Sequence, residues 1–275
     1  MAASVTGRVD LIAYGCAQVT ITAFHLMTHY ANDYFDRASD AGSGRTPYSG
    51  GSGALVDGSL SPSVGLVAAT FCAAVGLAGA GTLVAVARAP QAAGLAVAIA
   101  LGAWCYSAPP LRLAARGLGE LDTAIVVAIL VPLCAYAAQR PAPSMGALAS
   151  TLPGASAMFG MMLAVEFPDF AADTVGRKRN LVVRLGRVRA GGLGIATVVM
   201  VYAGVAFTLA VGAPPKFALL ELLTIPLAFR YGGTLAAWRA PDPRGDEALA
   251  ARGVTFYFVV ALFGLLAYAA PLRGF

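Results

Sequence analysis

The chain has 275 residues, of which 58% are hydrophobic and only 12% charged, with a formal net charge of +5. A water-soluble domain carries about a quarter charged residues, so this composition excludes an ordinary globular enzyme and indicates a polytopic membrane protein. The basic excess does not indicate a nucleic-acid partner, because Lys and Arg are scattered over short segments between apolar runs and form no single patch.

A membrane-spanning helix needs about 20 apolar residues. Eight runs approach or exceed that length, at roughly 10–33, 62–87, 91–108, 120–138, 146–167, 191–212, 216–238 and 253–271, the third and fourth being short. Strands would leave backbone groups unpaired in lipid, so the runs are predicted as helices. The segment before the first run is polar and shows no cleavable signal pattern. Cys16, Cys72, Cys105 and Cys134 lie inside apolar runs without CxxC spacing and are read as small packing residues. Most basic residues, among them Arg37, Arg45, Arg112, Arg116 and the run Arg177, Lys178, Arg179, fall on one side of an eight-span arrangement. The positive-inside rule places that side in the cytoplasm and both termini opposite.

The acidic residues cluster on the same side. In NDYFDRASD (32–40), Asn32, Asp36 and Asp40 recur every four residues. A continued helix stacks them on one face, with Asp33 adjacent. Such carboxylates repel one another unless a cation neutralises them, and an oxygen-only set with one amide suits Mg²⁺. A second cluster stands in EFPDFAADTVGRKRNL (166–181), where Asp169 and Asp173 are four apart, Glu166 precedes them, and the basic run follows. One DxxxD at a helix end is ordinarily a solvated surface. Two on one membrane face, each closing an apolar helix, suit a metal–diphosphate site in which Lys and Arg neutralise the remaining charge.

These segments carry a resemblance. NDYFDRASD resembles the NDxxDxxxD signature of the UbiA superfamily of intramembrane prenyltransferases, and DFAAD its second DxxxD. RTPYSGGSGALVDGSLSP (45–62) resembles the loop after the first motif in the naphthoate-prenylating, menaquinone-type branch and its relatives, YSAPPLRLAARGLGE (106–120) resembles the family's YSxPPxR(L/F)–RGLGE segment, and RKRNLVVRLG (177–186) resembles GKRTLVVRLG. The resemblance runs over most of the chain from about residue 15 onward. It implies an all-α, polytopic membrane bundle around a central cavity; the count of apolar runs sets the number of transmembrane helices at about eight, and the recurrence of helix, acidic motif and loop suggests a single domain of two pseudo-repeated four-helix halves (about 1–138 and 146–275). It implies that Asn32, Asp36, Asp40, Asp169 and Asp173 hold Mg²⁺ (two ions), with Asp33 beside them at the diphosphate. It implies that Arg112 and Lys178 contact the diphosphate of a prenyl donor with Arg45 or Arg179 assisting, and that Tyr106 sits beside the allylic carbon. The implied reaction is prenyl transfer to a small aromatic acceptor, such as a dihydroxynaphthoate, in the cell (inner) membrane. A terpene cyclase on the same scaffold, using no acceptor, is the alternative.

Some features depart from that pattern or fall outside it. The family fold has nine helices with the first motif closing the second, and the 31 residues before Asn32 leave room for one span, so eight are expected. Val165 and Asn180 stand where relatives carry Asn and Thr. His25 and His29, four apart, lack a third soft ligand and are read as a polar cavity lining, with His29 in reach of Asp33 and a candidate for binding substrate. The Gly-rich loop 42–53 lacks GK[ST] and is either a lid or a linker. Glu221 is expected as a snorkelling end charge, and Asp242, Asp246 and Glu247 as a solvated loop. An ion pathway is disfavoured, because the acids gather at one face and do not cross the midplane.

Overall fold

The computed structural model describes residues 9–41, 48, 51–140, 143–176, 178–237 and 243–268. Among them all regular structure is helical. The elements are α1 (Leu11–Asp40), α2 (Pro62–Ala85), α3 (Pro90–Ser107), α4 (Gly119–Gln139), α5 (Met145–Glu166), α6 (Phe170–Val175), α7 (Leu181–Leu185), α8 (Arg187–Ala210), α9 (Pro215–Leu222), α10 (Ile225–Ala237) and α11 (Pro243–Tyr268).

Six of these, α1, α2, α4, α5, α8 and α11, contain segments long and apolar enough to cross a membrane by themselves. Three of the eight expected runs have a more particular form. The third is α3, only 18 residues long. The fourth, α4, carries a π-helical turn at Val126–Leu130 just before Pro132, whose missing N–H cannot continue the regular ladder. The seventh is broken into α9 and α10 at Leu223–Thr224. There Thr224 Oγ1 donates to the Glu221 carbonyl at 2.6 Å, and Pro226 opens the next helix.

Helix surfaces explain the composition. Val67, Phe71, Val199, Phe229 and Leu265 are exposed on the outside, where hydrocarbon and not water is the natural neighbour. Between helices the contacts are made largely by Ala and Gly, which let backbones approach closely without a hydrophobic driving force. One apolar cluster joins residues of α1 to α4 and another joins α5, α8, α10 and α11. The two groups of helices meet where the start of α4 packs on α5 and where α1 touches α6. That seam carries the acidic motifs.

Candidate active site

Three stretches of chain supply the site. The first is the C-terminal end of α1. Asp36 is buried there at 3% exposure, and Asn32 donates through Nδ2 to Asp36 Oδ2 at 3.0 Å and to Ser107 Oγ at 2.9 Å. Asn32 therefore orients a carboxylate and ties it to the end of α3. The chain folds back at residues 51–52. Ser52 N–H donates to Asp33 Oδ1 at 3.3 Å, and Gly51, with φ +60°, lies so close that an added Cβ would stand 2.9 Å from both Asp33 Oδ1 and Asp40 Oδ2. Only glycine combines that backbone conformation with that approach.

The second stretch is the end of α3 and the turn after it. Tyr106 lies within electrostatic range of Lys178 and Asp36. Arg112 adopts a left-handed backbone, φ +45°, and its Nη2 reaches to 3.9 Å from Asp36 Oδ1. That conformation costs an L-residue roughly 1–2 kcal/mol, so the turn's own bonds, Arg112 N–H to Ala108 O and Leu113 N–H to Cys105 O, hold it.

The third stretch runs from α6 to α7. Asp173, also buried, accepts from Asn180 Nδ2 at 2.7 Å, while Asn180 Oδ1 caps α7 by accepting from Val183 N–H at 2.9 Å. Lys178 N–H donates to the Asp173 carbonyl, which aims the side chain back so that Nζ lies 3.3 Å from Asp36 Oδ2. The second and third stretches are stitched together by Arg179 N–H to Ala115 O at 3.1 Å, Leu181 N–H to Glu120 Oε1 at 2.7 Å and Arg184 Nη1 to Arg116 O at 2.6 Å.

Electrostatics follow from this crowding. Burial pushes the Asp40 carboxyl up to about 6; Lys178 opposes the shift, and Asp36, Asp169 and Asp33 add to it. Burial does the same to Asp173, also up to about 6, against Lys178 and with Asp169, Asp36 and Asp40. Burial works against the Lys178 charge, yet Asp36, Asp173 and Asp40 outweigh it and hold the ammonium well above its ordinary value. Among the described residues carboxylates outnumber cations here, so the cluster is suited to a further positive charge. Among the described residues no three His, Cys, Asp or Glu side chains converge on one point. The donor set itself, carboxylate oxygens with an amide beside Lys178 and Arg112, suits Mg²⁺, which binds through one or two carboxylates and keeps water and phosphate oxygens.

The predicted site residues thus fall as follows. Asn32, Asp33, Asp36, Asp40, Asp169, Asp173, Tyr106, Arg112 and Lys178 gather at the seam. Arg179 contributes its backbone, its side chain being exposed. Arg45 lies outside the described residues. His29 pairs with His25, Nε2 to Nε2 at 3.2 Å, one turn before the motif.

Sequence reasoning missed several supports. Asp246 is not solvated but 4% exposed, and it accepts two bonds from Arg187, at 2.7 and 3.2 Å. Arg187 also donates to the Phe167 carbonyl at 2.8 Å and stacks over Phe170, so it pins the turn that carries Asp169. Glu221 is buried at 1% exposure and does not snorkel. Asn180 had a legible signal, a helix-capping residue directly before LVVRL.

The sequence model of the UbiA prenyltransferase family matches residues 1–259. This chain belongs to that family. It is a prenyltransferase embedded in a membrane. Solved structures agree on the fold. The apo structure of a UbiA homologue from Aeropyrum pernix K1 superposes with a TM-score of 0.71 at 14% identity, covering 94% of this chain and 90% of that one. A UbiA homologue from Archaeoglobus fulgidus, bound to DMAPP and Mg²⁺, gives 0.69 at 15% identity over 93% and 90%. A digeranylgeranylglyceryl phosphate synthase gives 0.65 at 14% over 95% and 87%. No curated protein matches the chain.

Proposed function

We propose that this UbiA-family enzyme transfers a prenyl group from a prenyl diphosphate, with Mg²⁺, to a hydroxylated aromatic acceptor. The observation that carries the reading is the meeting of Asp36, from the first acidic motif, with Lys178, from the basic run after the second, at 3.3 Å. The DMAPP and Mg²⁺ bound by the Archaeoglobus homologue support it.

In this reading Lys178 and Arg112 bind the diphosphate and neutralise charge as the allylic C–O bond breaks and its electron pair passes to the leaving oxygen. Asn32, Asp36, Asp40, Asp169 and Asp173 would hold Mg²⁺, which when bound would supply positive charge that stabilises the leaving diphosphate. Asp33 lies at the diphosphate with the Gly51–Ser52 backbone against it, and Arg45 and Arg179 assist in neutralising the diphosphate. Tyr106 orients the allylic carbon and steadies its developing positive charge. An electron-rich ring carbon of the acceptor attacks, a C–C bond forms, and the ring loses a proton to regain aromaticity. Burial between the helices keeps water from the cation. In this reading the positive-inside rule turns the basic segments, and the site with them, toward the cytoplasm across the cell (inner) membrane.

The test is a product assay on purified protein with Mg²⁺ and prenyl diphosphates of graded length, with and without a dihydroxynaphthoate or a hydroxybenzoate. Prenylated acceptor and released diphosphate are expected. A cyclic hydrocarbon formed from the donor alone would overturn the transferase reading.

A further inference from the structure

The face of α1 that ends in the carboxylates is polar far above them. Gln18, Thr22, His25, His29, Asn32 and Asp36 follow one another at intervals of four and three, which places them on one side of the helix. Gln18 Nε2 donates to Thr22 Oγ1 at 3.0 Å, and His25 and His29 stand edge to face with their Nε2 atoms 3.2 Å apart. All four are exposed on a helix that otherwise crosses hydrocarbon. Polar side chains at that depth face a cavity or a partner rather than lipid. Higher on the helix, the Gln18 side of α1 forms one wall of a cavity of about 560 Å³, through Tyr14, Gln18 and Ile21, opposite Glu221, Tyr257 and Tyr268.

The histidine pair does not fit a metal: among the described residues no third His, Cys, Asp or Glu joins it. Its hydrogen-bonding capacity is more informative. One ring must donate its Nε2–H to the other. This fixes opposite tautomers and leaves the pair one N–H donor and one lone-pair acceptor on the two Nδ1 atoms. A hydroxyl, which donates and accepts at once, satisfies both. Along the axis His29 stands roughly 10 Å from Asp36, at 1.5 Å per residue. That distance is about the span of a fused aromatic ring system and its substituents.

We propose that His25 and His29 form the acceptor subsite and hold a ring hydroxyl of the aromatic substrate, so that the ring lies between the pair and the donor's allylic carbon. This rests on the transferase reading above and assigns its second substrate a place.

The test uses the full-length protein in bilayer nanodiscs, with geranyl diphosphate and dihydroxynaphthoate as probes, each varied at saturating levels of the other. His25→Leu/His29→Leu removes every hydrogen bond of the pair, whereas His25→Gln/His29→Asn keeps a donor and an acceptor. The leucine variant is expected to raise the acceptor KM about tenfold or more, with the donor KM held within about twofold, and the amide variant to recover most of that loss. An unchanged acceptor KM in the leucine variant, or a donor KM that rises as much as the acceptor KM, overturns the subsite while leaving prenyl transfer intact. If the wild type prenylates neither dihydroxynaphthoate nor hydroxybenzoate yet still releases diphosphate, the transferase reading falls, and the subsite falls with it.

Discussion

The ammonium of Lys178 stands 3.3 Å from Asp36 Oδ2, and this contact links the end of α1 to the loop between α6 and α7. Asp36 is 3% exposed, and a second cation, Arg112, lies farther off at 3.9 Å. Replacing Lys178 by Met takes a close cation from a buried carboxylate and removes charge from the leaving group. Turnover should fall about 100- to 1,000-fold, as for loss of one preorganised electrostatic donor. The metal-free protein should lose roughly 1–3 kcal/mol. Turnover at saturating donor and thermal melts of the same preparations check both.

Gly51 offers a finer probe of the same cluster. A methyl group there would stand 2.9 Å from oxygens of Asp33 and Asp40, on a backbone at φ +60°. Gly58 has φ +79° and nothing within 4 Å, so Gly58→Ala adds similar strain without touching a carboxylate. Both substitutions should lower stability by roughly 1 kcal/mol. Only Gly51→Ala should raise the Mg²⁺ requirement, by about tenfold. Titrating activity with Mg²⁺ in the two variants separates strain from displacement.

The fold and the gathering of the candidate site's acids were legible because they rest on periodicity. Apolar runs of span length mark the long helices, and acids spaced by four mark Asp36, Asp40, Asp169 and Asp173 as faces of helix ends. What was not legible rests on long-range pairing. Nothing in APDPRGDEA says that Asp246 is buried against Arg187, because the partner lies in another helix and the local composition is that of a loop. Glu221 misled in the same way: a carboxylate near the end of an apolar run looks the same whether it snorkels or is enclosed. His29 was expected to reach Asp33, but the structure gives it His25, an equally spaced partner on the same face.

The Arg187–Asp246 pair is a test of support at a distance. Arg187 is 11% exposed and Asp246 6% at the side chain, and Arg187 also holds the Phe167 carbonyl beside the second motif. Asp246→Ala removes the carboxylate that neutralises a mostly buried guanidinium and should cost about 3–5 kcal/mol, whereas Arg187→Met/Asp246→Leu should recover much of that loss. Melting temperatures of the single and double variants decide the matter.

Proton linkage gives a prediction with a definite sign. Asp40 and Asp173 have an ordinary value of 3.8 and are pushed up to about 6 in the folded protein. Between those values the folded state binds more protons than the unfolded state, so metal-free stability falls as pH rises from about 4 to about 6. Mg²⁺ binds the deprotonated carboxylates, so its apparent affinity rises over the same interval and upward to about pH 7. Thermal melts across this range, with and without Mg²⁺ and a prenyl diphosphate, should show opposite slopes; parallel slopes would contradict the assignment.

The most direct measurement is Mg²⁺-dependent release of diphosphate from geranyl diphosphate by the purified protein, by Asp36→Asn and by Asp173→Asn. Both substitutions keep the side-chain shape and remove the charge. The account predicts release by the wild type and a fall of about 100-fold or more in each variant. Release that persists at wild-type rates in either variant would contradict the site at the seam of α1, α3 and α6.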